Sequence, residues 1–302
     1  MVERPPSSSS AAWSSLKAVD ARSTRVRRAN MPLYLNESDA RRRFKDALGQ
    51  ANHLLITILV GLFGVESGQV THYPKEFRTA WNPRSPSASA NRSRIMALEM
   101  ALVRAVDALD VYITLARRKP SIIQDNATQS GIDGCGQSIL RKLFVVRSNC
   151  MPTDSIFAAL GEVMIVWRNR QVHSLSDNEV SAETWEILRR DQIWIKNEFR
   201  GMEVDRLFTD FQQDGPPTFK EIASFIRACH AIVRLLDEEL LQRLNAERFL
   251  REVIHHKTGG DAHTRHKRIQ SIWGRDASER PDRVRAFLVN CGLSPTPITD
   301  GK

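Results

Sequence analysis

The chain is poor in cysteine: Cys135, Cys150, Cys229 and Cys291 are the only four in 302 residues, and none forms a CxxC pair. That spacing excludes a disulfide frame and a zinc cage, and it fits the reduced, packed thiols of a cytosolic protein. Long apolar runs are missing too. The longest, residues 54–65 (LLITILVGLFGV), is interrupted by Gly61 and Gly64 and is shorter than the about 20 residues that cross a bilayer. No apolar signal region opens the chain, so the expected location is the cytoplasm, with no membrane partner. There is no P-loop, dinucleotide fingerprint, GxSxG or HExxH, which removes the common nucleotide-cofactor, serine-hydrolase and zinc-protease chemistries. We therefore expect no cofactor and no metal. A strand-like alternation of apolar and polar residues is absent as well.

Acidic residues are outnumbered, 35 against 44 Lys+Arg for a net charge of +9, which favours a polyanion and above all nucleic acid as partner. Residues 1–35, with Pro5-Pro6, a run of serines and scattered cations, hold too little apolar surface to offset the entropy of ordering and are expected to be a disordered basic arm. Asn36 to Asp39 supply helix-start chemistry. Phe44, Leu48, Ala51, Leu55, Ile58 and Leu62 then recur at helical steps and predict one long amphipathic helix. Residues 66–90 read as a proline-broken loop. From about Asn91 a second long helix is expected on the stripe Ile95, Leu98, Leu102, Val106, Leu109, Ile113 and Ala116, with Arg104, Asp107 and Asp110 as a solvated ladder on the far side.

That helix ends in Arg117, Arg118, Lys119 and Pro120: cations at the negative end of a helix dipole, followed by a breaker. The three cations are also candidate phosphate contacts. Residues 120–135 read as a polar connection and 137–147 as a short helix. Pro152-Thr153-Asp154 opens a helix burying Ile156, Leu160, Val163 and Trp167. Residues 181–199 read as helical. After the break at 214–217, Thr218 and Glu221 form a capping box for the best-patterned helix in the chain. Past residue 245 the composition turns basic. The division is then 1–35 arm, 36–245 helical bundle and 246–302 basic extension. The fold class is all-α, most simply an antiparallel bundle.

The chemistry concentrates at Arg168-Asn169-Arg170-Gln171-Val172-His173, directly after the apolar helix. A guanidinium stays charged and presents a fork of donors matched to phosphate oxygens. An imidazole accepts or donates a proton near neutral pH, and the Asn169 amide can orient either. These groups supply what metal-free RNA cleavage requires: a base for the ribose 2′-OH, a cation for the pentacoordinate phosphorus and an acid for the leaving 5′-oxygen. On an unbroken helix, five residues turn by about 140°. Arg168 and His173 therefore meet only if the helix breaks within the segment or if a symmetric dimer brings two copies into one cleft.

Arg, a polar residue, then a short gap to His resembles the signature of the HEPN-domain ribonucleases, and the resemblance covers roughly residues 38–245. It implies a helical bundle that dimerises through the motif face, with metal-independent endoribonuclease activity on tRNA or mRNA. Such enzymes act as toxins, held by a cognate antitoxin, or as antiviral effectors. By position the resemblance gives Arg168 and His173 the catalytic roles and Asn169 the adjacent polar one. Phosphate contact by Arg170 is our inference from its charge. Trp167 and Trp185 flank the segment and are expected in the core. His255, His256, His263 and His266 read as a basic RNA-contacting loop rather than a metal site. A helical module that binds RNA or protein without catalysis is the alternative.

Overall fold

A computed structural model of the chain describes residues 37–70, 81–151, 155–173 and 178–245, with isolated positions beyond them. The chain divides into two compact units, one of Asp39–Leu240 and one of Met1–Ser38 with Leu241–Lys302. The expected basic arm, the histidine loop and most of the C-terminal extension lie outside the described residues, as do residues 152–154 and 174–177.

Among the described residues the first of these units is all-helical, with no strand. In order, its helices are α1 (Asp39–Leu48), α2 (Ala51–Glu66), α3 (Pro86–Arg117), α4 (Asn126–Asp133), α5 (Ile139–Cys150), α6 (Ile156–Val172), α7 (Ala182–Arg190), α8 (Gln192–Glu198), α9 (Val204–Gln212) and α10 (Phe219–Gln242, whose last two residues belong to the second unit). The single long helix expected after residue 39 is two helices, parted by a turn at Gly49-Gln50 where the Gly49 N–H donates to the Lys45 carbonyl. Glycine is the weakest ordinary helix former, and the apolar spacing runs through the turn without registering it.

Other ends follow from local capping. α3 begins five residues earlier than its apolar stripe suggests: Ser85 accepts a hydrogen bond from the Ala88 N–H at 3.2 Å, and Pro86 sits at the first helical position, where its missing N–H costs nothing. Asp125 caps α4 by accepting from both the N–H and the Oγ1 of Thr128, each at 2.7 Å. These two bonds hold the Asp125 carboxyl below its ordinary range. Ser138 caps α5, and the Thr218–Glu221 box forms as expected, with the Thr218 N–H donating to Glu221 at 2.6 Å. The segment expected to be one helix over 181–199 is interrupted at Asp191.

α3 lies among α1, α2, α5 and α6, and α6 packs in addition on α5 and α7. α6 is the innermost element. Its residues from Ala158 through Trp167 are all buried, so the helix is covered all round rather than along the one face its spacing suggested. The approach to α10 is close at Gly161, where a Cβ would stand 2.7 Å from Ile232 Cδ1. Cys229 on α10 lies 3.4 Å from the sulfur of Met164 and directs its thiol toward the Ala105 carbonyl of α3. Burial pushes that thiol up to about 12. Cys135 and Cys229, both buried, are free thiols.

Candidate functional site

The segment 168–173 is the last turn of α6 and the residue that ends it. The helix runs unbroken through Val172, and His173 leaves it with extended backbone (φ −120°, ψ 94°) while its N–H still donates to the Asn169 carbonyl at 2.9 Å. Of the two geometries that could unite Arg168 and His173, a break inside the segment does not occur. The helix stops at the histidine itself. Because His173 is the capping residue and not a helical one, helical rotation does not fix its side chain, and the ring is exposed. Among the described residues no side-chain hydrogen bond joins the imidazole to Arg168 or Asn169, whose side chains bond each other.

Arg168 is held firmly. Its Nη1 donates to Asn169 Oδ1 at 3.1 Å, and its Nη2 donates to Asp107 Oδ1 on α3 at 3.0 Å. The Arg168 side chain is 17% exposed and that of Asp107 is 57%, so the pair sits where the bundle opens to solvent. The Nε of Arg168 is buried and has no hydrogen-bond partner. Buried donors are nearly always satisfied, and an orphan is commonly the place where a water or ligand oxygen belongs. Asn169 is therefore next to the cation in space as well as in sequence.

Arg170 is used differently. Its Nε donates to the Asn178 carbonyl at 3.1 Å and its Nη1 to Asp214 at 3.3 Å and to the Phe211 carbonyl at 3.4 Å; the guanidinium lies 4.2 Å from the centre of the Phe211 ring. It joins the end of α6 to the turn after α9. Phosphate contact by Arg170 requires release of the Asp214 pair. Arg117 is likewise engaged, donating to Gln129 Oε1 at 3.1 Å and pairing with Asp133 on α4. Arg118 and Lys119 are exposed.

The supporting layer is aromatic. Trp167 is fully buried, meets Phe211 and Phe225 edge-on, and donates its Nε1–H to the Gly215 carbonyl at 3.2 Å; Gln171 Nε2 reaches the same carbonyl at 3.3 Å. Trp185 is packed against Phe208 and Phe211. Both tryptophans are core residues. Six positions before Arg168, buried Glu162 accepts from the Ser181 N–H at 2.8 Å and from Thr184 Oγ1 at 2.7 Å. It thereby places a carboxylate at the positive end of α7.

Sequence reasoning missed Asp107 as a partner of Arg168. The solvated ladder expected at Arg104, Asp107 and Asp110 is instead a set of ties between elements: Arg104 Nε to the Ala47 carbonyl, Asp107 to Arg168, and Asp110 to Lys142 of α5. No spacing in the sequence announces that pair, which depends on the packing of α3 on α6. Among the described residues no group of three or more His, Cys, Asp and Glu is placed to hold a metal ion. Comparisons with protein-family models, with curated proteins and with solved structures find no match.

Proposed function

We propose that the chain is a metal-independent endoribonuclease of HEPN type, an antiparallel helical bundle that works as a homodimer on tRNA or mRNA. Arg168 binds the scissile phosphate, His173 transfers the proton at the ribose 2′-OH or at the leaving 5′-oxygen, and Asn169 orients the guanidinium. The observation that carries this reading is the state of Arg168: a half-buried, permanently charged donor fixed by Asn169 and Asp107, with its Nε unpartnered, followed at the helix end by an exposed imidazole. Arg118 and Lys119 add exposed cations suited to the RNA backbone, with Arg117 beside them. A cytoplasmic toxin paired with an antitoxin, or an antiviral effector, is the setting this chemistry fits.

The test is incubation of the purified chain with a mixed RNA pool. Cleavage persists in EDTA and leaves 2′,3′-cyclic phosphate ends; His173→Ala lowers the rate about a thousandfold, the scale of a lost general acid or base, with the helical circular dichroism unchanged. Strict dependence on a divalent ion sinks the mechanism. The second reading, a non-catalytic RNA- or protein-binding module, is favoured by the in-chain Arg168–Asp107 pair, which gives the guanidinium a structural partner already. RNA binding that weakens in Arg168→Ala while no product forms decides for it.

A further inference from the structure

α2 contains no Asp, Glu, Lys or Arg before Glu66, and only Ala51, Leu55 and Gly64 along it are buried. A helix that is apolar all round is normally an enclosed one. Here Leu54, Ile56, Ile58, Val60 and Phe63 are each 43–66% exposed. Leu54 and Ile58 share one side of α2, with Ile56, Val60 and Phe63 about half a turn away; α3 continues the side of Leu54 and Ile58. Besides its buried stripe it carries a second one at four- and three-residue steps, Met96, Met100, Val103, Asp107 and Val111, of which Met96, Met100 and Val111 are 42–64% exposed. Between the helices runs a groove of about 660 Å³, floored by alanines of α1, α2 and α3 and walled by Leu54, Ile58, Met96 and Met100.

We propose that this α2–α3 face is the surface through which two copies of the chain pair. Three observations choose a second copy as occupant. The face carries both large apolar knobs and an alanine-floored groove, so it is complementary to itself, as a two-fold contact requires. Its rim has no net sign: Arg104 and Asp107 line the groove together, and Arg94 is paired with Glu66 near one end. Opposite charges on one rim suit self-pairing, whereas an anionic lipid surface would meet carboxylates there. Leu54, Ile58, Met96, Met100 and Val111 line the groove and are each 42–64% exposed, an uncharged centre of the kind an interface buries. The segment Asp39–Glu66 is apolar and long enough to cross a membrane by length and composition, but α2 alone, at 16 residues, extends about 24 Å, less than the ~30 Å of a bilayer core.

Asp107 stands on this rim and holds Arg168. The pairing therefore brings each copy's Arg168 to the edge of the shared face; in this respect alone the inference rests on the function proposed above.

Sedimentation velocity of the full chain over a concentration series tests it. The wild type is a dimer. Ile58→Glu and Met100→Glu weaken self-association by more than about tenfold, as a charge placed in a desolvated contact does, while Ile193→Glu, on an exposed position of α8, leaves it unchanged. Should Ile58→Glu lose helical signal, the double change Met96→Gln with Met100→Gln, both exposed, replaces it. A monomer at every concentration overturns the inference, and so does a dimer that survives these changes. Flotation of the wild type with phosphatidylserine vesicles, lost in Ile58→Glu, assigns the face to lipid and overturns it as well. RNA cleavage is read separately: a dimer that cuts nothing removes the nuclease and keeps the interface, and a monomer that cuts does the reverse.

Discussion

Arg168 and Asp107 are 61 residues apart and meet at 3.0 Å. Their pair is partly exposed, so its contribution to stability is small, about 0–1 kcal/mol. Its contribution to geometry is larger, because the carboxylate fixes one of the two terminal nitrogens that present the guanidinium. Asp107→Asn is expected to leave the urea midpoint almost unchanged while slowing RNA cleavage about tenfold, the scale of a misplaced rather than a missing group; equal losses in both would assign Asp107 to folding alone. Glu162 is the opposite case. It is buried and satisfies both a backbone N–H and a hydroxyl of the α7 start, so Glu162→Ala should cost about 3 kcal/mol, readable in urea denaturation, by orphaning both donors. Arg168, Asn169 and His173 could be singled out from sequence because they lie within six residues. Asp107 could not: its charge is equally at home in solvent, and only the packing of α3 on α6 selects its partner.

At the scale of elements, the capping box of α10 is the best-specified local feature. Thr218 and Glu221 exchange hydrogen bonds at 2.6 and 3.4 Å, and Thr218→Ala should destabilise the chain by about 1 kcal/mol, seen as a lower thermal midpoint with the same helix content. Burial outweighs those bonds at Glu221 and raises its carboxyl above the ordinary value. Starts marked by a side-chain cap and an apolar stripe were legible. The interruptions at Gly49-Gln50 and at Asp191 were not, since the spacing of apolar residues passes through both. α4 escaped because its eight residues, NATQSGID, have only Ile132 as a strong apolar anchor. It is held by the Asp125 cap and by Gln129, whose Nε2 donates to the Arg117 and Ile123 carbonyls and to Ser121 Oγ. Those are tertiary bonds that no periodicity announces.

For the whole molecule, composition and spacing were enough for the all-α class, because sustained helical stripes without alternation leave no other way to bury the apolar residues. They did not convey that α6 is enclosed on all sides, a property of how many neighbours surround it. Stability against acid is another property of the assembled bundle. His230 on α10 meets Phe44 of α1 edge-on; burial, then Lys45 and Arg41, lower it from its ordinary 6.5. Folding thus disfavours its protonated form. The stability this provides is complete above pH 6.5 and is lost as pH falls through the folded value, where unfolding takes up the proton. The urea midpoint should drop as pH falls below the ordinary 6.5, where the unfolded chain begins to take up the proton, and by less in His230→Gln. An equal drop in that variant would place the acid sensitivity elsewhere.

The carbonyl of Gly215 receives both the indole of Trp167 and the amide of Gln171, residues that straddle Arg168 along α6. A single peptide group in the link between α9 and α10 thereby acts as a peg for the end of the helix that bears the candidate chemistry. Twisting or sliding that end to reach an incoming strand would pull two bonds at once and drag the peg along. On the function proposed here, adjustment to RNA comes from what lies beyond the peg, the exposed imidazole of His173, while the guanidinium keeps its place.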